Sequence, residues 1–175
     1  MEPLDCYKQA TDWAKTKVRG AADQLDNQTP CDLWDVRHLV SHMIDTQQYF
    51  LASAQGQDAQ MHLPVPPDLV GNDPVGAYES AVDDALRLYE SPGGAEKAGF
   101  GLRVAFSDSL IHAWDLARAT GQDETMPDGL AQEAYELVSE NFKDNQREGI
   151  LGPKVPVPDD ASPQQRLLGF SGRQP

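Results

Sequence analysis

Four histidines, His38, His42, His62 and His112, are the chain's whole supply of imidazole, the side chain that most often ligates transition metals. Asp108 stands four residues before His112. On a helix that spacing stacks two side chains one turn apart and about 40° from each other in azimuth, so a carboxylate and an imidazole can share one cation. A divalent ion takes imidazole nitrogen or carboxylate oxygen at about 2.0–2.2 Å, and three protein ligands rather than four leave a coordination position open for water or substrate. His42, on a facing helix, would be the third ligand. The same residues also fit a plainer reading, in which each is a packed, hydrogen-bonded flank of a core, and spacing alone does not separate the two.

The elements that must position these groups are helices. Leu4, Tyr7, Ala10, Ala14, Val18, Ala21 and Leu25 recur at steps of three and four, which predicts a first helix from about residue 3 to 26. Asp35 is the expected cap of a second, whose inward stripe is Val36, Leu39, Val40, Met43 and Gln47 and which ends before Gly56. On a wheel of 100° per residue, His42 falls on the flank of that stripe and His38 farther round toward solvent. Residues 57–73 hold Pro64, Pro66 and Pro67 without a sustained period and read as a long loop. Asp73-Pro74 starts a third helix running to Ser91. After an irregular stretch to about Gly101, Phe106, Leu110, Ala113 and Ala117 mark a fourth helix that stops at Gly121. A fifth begins near Pro127 and turns Glu133, Glu136 and Glu140 outward. From Gln146 onward the proline-rich remainder is expected to be coil, with a short helix at 163–170. Strand signals are nearly absent, so the expected fold is all-α, a helix bundle folding as a single domain over residues 1–175.

Composition excludes several function classes. Fourteen Lys+Arg against 28 Asp+Glu give a formal charge of −14 over 175 residues, a field that repels nucleic-acid phosphates and anionic lipid. No apolar run approaches the length of a membrane span, and the opening residues lack the basic and apolar regions of a signal peptide. The expectation is a cytoplasmic protein with no nucleic-acid or membrane partner. Cys6 and Cys31 fall in no metal-binding spacing and are read as buried thiols, neither placed to be a nucleophile.

Three segments narrow the reading: Thr29-Pro30-Cys31-Asp32-Leu33-Trp34-Asp35-Val36-Arg37-His38-Leu39-Val40-Ser41-His42, then His112-Ala113-Trp114-Asp115-Leu116-Ala117-Arg118-Ala119-Thr120-Gly121, then Arg166-Leu167-Leu168-Gly169-Phe170-Ser171-Gly172-Arg173-Gln174-Pro175. In this order they resemble an actinobacterial branch of the DinB-like superfamily, the one that includes the metal-binding domain of mycothiol-dependent maleylpyruvate isomerase. The resemblance runs over essentially the whole chain. It implies a DinB-like four-helix bundle, here with an additional short C-terminal helix and coil tail. It also implies a divalent ion held by one histidine of the second helix and an acid-x-x-x-His pair of a later one. Carried over by position, the metal ligands are His42, Asp108 and His112. The family's middle ligand is commonly glutamate, whereas this chain has the shorter aspartate. His38 stands where relatives often carry an acidic residue and is not counted.

The function so implied is activation of a low-molecular-weight thiol, mycothiol or a similar compound, for transfer to a small electrophile. The ion would be Zn²⁺, with Ni²⁺, Fe²⁺ and Mn²⁺ also accepted by two histidines and a carboxylate. Simple transfer is favoured over isomerisation. The alternative is a non-catalytic metal- or small-molecule-binding bundle, with a homodimer left open. Asp115 either orients a ligand from behind or pairs with Arg37 or Arg118 to fasten two helices. Trp34 and His62 are candidate substrate contacts, the plainer roles being helix packing for Trp34 and a solvent-facing place on a mobile loop for His62.

Overall fold

The computed structural model describes residues 1–144, 147 and 149–175. Its elements are α1 (Pro3–Ala21), α2 (Val36–Ala54), α3 (Pro74–Tyr89), α4 (Gly94–Thr120), α5 (Leu130–Asn141) and α6 (Pro163–Phe170). Apart from an isolated bridge between Gln28 and Asp35, no β-pairing occurs among the described residues. None of the described helices is long and apolar enough to cross a membrane. The chain divides into two compact units, Met1–Thr125 and Met126–Pro175.

In the first unit α1 packs on α4, α4 on α2, α2 on α3 and α3 back on α1, so four apolar stripes close around one core. Val18, Val36, Leu39, Met43, Tyr78 and Leu116 meet there, each fully or almost fully buried. The Asp35 and Asp73 side chains accept from the backbone N–H of His38 and Gly76 at the starts of α2 and α3, as their residue types predict. Gly121 ends α4 with φ of 67°, a left-handed conformation that costs glycine little.

Two boundaries differ from expectation for identifiable reasons. The first helix stops at Ala21 rather than near residue 26 because the chain beyond it has other partners. The carbonyls of Leu25 and Asn27 accept from the N–H groups of Arg37 and Val36, donors in the first turn of α2 that have no partner within the helix. Leu25 still packs against the core, but from a turn. The stretch expected to be irregular up to Gly101 is already helical from Gly94 and is broken by a kink at Gly99, where φ is 52° and ψ −124°.

From Ser109 to Ala117 every residue of α4 is buried. A helix buried on all sides is the centre of its unit, and the polar residues inside that stretch must find partners there. One chain of hydrogen bonds fixes the register of α4 against α2: Tyr7 OH donates to Gln47 Oε1 at 2.5 Å, Gln47 Nε2 to Ser109 Oγ at 3.1 Å, and Ser109 Oγ to the Ala105 carbonyl at 2.8 Å.

The second unit holds α5 and α6, which pack on each other. Gly129, with φ of 81°, sets the start of α5 at Leu130, three residues later than the Pro127 signal. Ser162 and Gln165 form a reciprocal capping box at the start of α6. Gln146, the expected start of the coil tail, lies outside the described residues. A cavity of about 590 Å³ is lined by Arg147, Lys154 and neighbouring residues of this unit; none of the histidines borders it.

Candidate metal centre

His42 lies two turns into α2, and α4 runs antiparallel to α2 across from it, with His42 beside His112, Gln47 beside Ser109 and Phe50 beside Gly101, so residues 42, 108 and 112 meet. The Nε2 atoms of His42 and His112 each lie 3.5 Å from Asp108 Oδ1. The three donor atoms all fall within 4.8 Å of one another. Two ligand atoms bound at about 2.0–2.1 Å to one tetrahedral ion stand about 3.3–3.4 Å apart, so the observed spacing suits a shared cation. It is long for a direct hydrogen bond. His42 and His112 are buried, and the Asp108 side chain is 20% exposed.

The buried polar atoms of this cluster point the same way. Asp108 Oδ2 is buried and has no hydrogen-bond partner, an unfavourable state for a carboxylate unless a positive charge adjoins it. Burial pushes the Asp108 carboxyl up, but the His112 and His42 imidazoles outweigh it and hold the group well below the usual carboxylate range. For His112, burial pulls the imidazole down while Asp108, Asp115 and Cys31 raise it, and the net direction is well upward. The cluster therefore favours positive charge beside Asp108, which protons on the imidazoles or a divalent ion can supply. By donor spacing and by the unpartnered buried oxygen of Asp108, these residues fit a metal.

Orientation of the two imidazoles comes from different sources. His112 Nδ1 lies 2.9 Å from Asp115 Oδ2, an oxygen of a fully buried carboxylate. With Asp115 accepting from Nδ1–H, Nε2 keeps its lone pair for a cation. His42 has no such carboxylate, and its Nδ1 is buried without a partner. Its ring is held by stacking: the Trp34 indole lies 4.5 Å away at 33°, and the His112 ring 4.8 Å away nearly edge-on. Thr46 Oγ1 also stands 3.4 Å from His42 Nε2.

Of the two roles open to Asp115, its Oδ2 takes the one of orienting a ligand from behind, since it meets the His112 ring. Arg37 reaches Asp68 and the Gly71 carbonyl. Arg118 forks onto Glu124 through two hydrogen bonds of 2.6 and 2.7 Å and lies over the Trp114 ring. Trp34 both packs and borders the site, since its Nε1 donates to the Pro64 carbonyl while its ring covers both imidazoles. His62 is tied down rather than simply solvent-facing. Its N–H donates to Asp45 Oδ2 at 2.7 Å and its Nδ1 meets Asp45 Oδ1 at 2.8 Å, although the side chain remains 60% exposed. His38 bonds to its own helix cap, Asp35, away from the cluster.

Two participants escape a reading of spacing. Asp45, 3% exposed on α2, fastens the 57–73 loop, and nothing in its local sequence signals that. Cys31 is only half-buried, unlike Cys6, and its Sγ lies 3.6 Å from Asp115 Oδ2. With His112 and Asp115 it forms a second group of metal-capable donors.

Residues 7–85 match the mycothiol maleylpyruvate isomerase N-terminal domain family, a span that contains His42 but not Asp108 or His112. Two uncharacterized proteins of Mycobacterium tuberculosis, from strains CDC 1551 and H37Rv, are each 30% identical over 190 residues, covering 99% of this chain and 98% of the relative. No solved structure matches the chain. With a family match over its first three helices and full-length relatives beyond them, the chain belongs to the mycothiol maleylpyruvate isomerase N-terminal domain family, in the metal-binding branch of the DinB-like superfamily.

Proposed function

We propose that the protein is a divalent-metal-dependent enzyme that activates a low-molecular-weight thiol of the mycothiol type for attack on a small electrophile. His42, Asp108 and His112 would hold the ion, with Zn²⁺ the best match to two imidazoles and one carboxylate at tetrahedral spacing. The observation that carries the reading is the convergence of three donors from two helices, each imidazole 3.5 Å from one carboxylate oxygen. Such an ion supplies Lewis acidity that lowers the pKa of a coordinated thiol, so that thiolate is available near neutral pH.

The chain's own residues supply the rest. Asp115 keeps the His112 proton on Nδ1, away from the donor cluster. Trp34 covers the imidazole faces and limits water on that side. The 57–73 loop is pinned along α2 by His62 on Asp45, by the Pro64 carbonyl on Trp34 and by the Leu69 N–H on Ser41 Oγ. A loop so held presents a fixed wall to an incoming electrophile.

Thiol consumption against a chlorodinitrobenzene-type electrophile tests the reading, with native protein compared to His112→Ala. A thiol of pKa about 8.5 is only about 3% ionised at pH 7, so full ionisation alone is worth about 30-fold. Because thiolate nucleophilicity falls as its pKa falls, a loss of up to about that size is expected in the variant, and in native protein after chelation. Equal rates in native and variant protein would remove the enzyme reading.

A further inference from the structure

We infer that Cys31 is a positioning residue for the metal centre: its thiol donates to Asp115 Oδ2 and so fixes the carboxylate that orients the His112 imidazole. The inference rests on the reading that His42, Asp108 and His112 hold an ion.

Cys31 arrives from 84 residues away in sequence, and its Sγ stands 3.6 Å from Asp115 Oδ2, a normal length for a hydrogen bond from sulfur. The same oxygen meets His112 Nδ1 at 2.9 Å. One buried oxygen therefore joins the thiol to the imidazole.

The turn that carries Cys31 is itself closed. Cys31 N–H donates to Thr29 Oγ1, Thr29 Oγ1 to the Trp34 carbonyl, and Trp34 N–H to the Cys31 carbonyl. From this one turn Trp34 reaches His42 and Cys31 reaches Asp115, so both imidazoles are oriented by it.

Distances favour a relay over a second metal site. Cys31, His112 and Asp115 form a donor group on the opposite ring nitrogen from Asp108. Two donors on one tetrahedral ion would stand about 3.3–3.4 Å apart, whereas Nδ1 and Oδ2 are at the 2.9 Å of a direct hydrogen bond. Sulfur in this position adjoins Asp115 and His112 and acts on the ion through them.

The test compares native protein with Cys31→Ala and Cys31→Ser by zinc competition against a chromophoric chelator. Partners behind a metal ligand typically contribute 10- to 100-fold in affinity. As the outermost link, Cys31 should sit at the low end, with Cys31→Ala about 10-fold weaker. Cys31→Ser keeps an O–H donor and should restore most of the loss. Native and Cys31→Ala proteins of equal affinity would overturn the proposal. So would a Cys31-dependent thiolate charge-transfer band after cobalt substitution, which would put sulfur on the ion.

A second measurement needs no metal. The infrared S–H stretch isolated by subtracting the Cys31→Ser spectrum should lie below that of an unbonded thiol and move toward it in Asp115→Asn. A band at the unbonded position in native protein refutes the hydrogen bond. Native protein that binds no zinc refutes the metal centre itself, a result distinct from zinc binding that is indifferent to Cys31.

Discussion

Asp108→Asn keeps the shape of the side chain that joins the two imidazoles and removes its charge. Asp108 Oδ1 is the atom 3.5 Å from both Nε2 atoms, so the substitution acts on the one group that touches both other donors. Zinc at 100 times its dissociation constant, bound only by folded protein, stabilises the fold by about 2.7 kcal/mol. For a chain of this size each kcal/mol moves the melting temperature about 2–4 °C, giving about 5–11 °C in the native protein. Loss of an ionised ligand should weaken binding by at least about 100-fold, the upper end for partners that only orient a ligand. At the same zinc concentration the variant is then at most half-saturated, and its stabilisation falls to about 0.4 kcal/mol, or about 1–2 °C. Differential scanning calorimetry with and without chelator measures this, each protein being referred to its own chelated baseline. A zinc-induced shift equal in native and Asp108→Asn protein would show that the carboxylate is no ligand. Native protein with no shift at saturating zinc would refute the reasoning at its root.

Two further perturbations test parts of the structure away from the ligands. Burial raises the Tyr89 hydroxyl to about 12, and that hydroxyl has no hydrogen-bond partner. A folded-state pKa above the unfolded value of about 10 gives stability that is fully present below pH 10 and is lost as pH rises from about 10 to 12. Tyr89→Phe should therefore be neutral or slightly stabilising at pH 7. It should also flatten the alkaline fall of melting temperature, while Tyr7 and Tyr78, both also raised by burial, keep part of the slope. Identical slopes in the two proteins would contradict this. Asp45→Ala removes both acceptors that hold His62. At about 1.5–3 kcal/mol for hydrogen bonds to a charged group, opening of the 57–73 loop should rise roughly 10- to 100-fold. Limited proteolysis reads this as faster cleavage within the loop, and an unchanged cleavage rate would mean that the tether is dispensable.

Much of the helical framework was legible from residue periodicity and chain-end chemistry. Asp35, Asp73 and Gly121 act at helix ends as their types predict because capping is a local interaction within a few residues of chain. The early end of α1 was not legible, since the carbonyls of Leu25 and Asn27 beyond it serve donors in the next helix, Arg37 and Val36. Nor was the helical stretch from Gly94, expected to be irregular, which the kink at Gly99 divides from the periodic part of α4. At the candidate site, the four-residue spacing of Asp108 and His112 and the place of His42 on the flank of its helix were legible, the resemblance joined the three as ligands, and no local spacing says that His42 reaches Asp108.

What the sequence determined by itself is set by short-range physics: an acidic all-helical chain, the faces its helices bury, and one acid–histidine pair one turn apart. What the tertiary structure decided is which distant groups meet. The antiparallel pairing of α2 with α4 brings His42 to Asp108. The same tertiary arrangement sets Asp115 beside the His112 ring, makes Asp45 the anchor of a loop, and moves Cys31 from the class of inert thiols to the edge of the centre. Periodicity specifies that a face is buried, but the partner on the other side depends on packing and register between helices, which no single segment of the chain encodes.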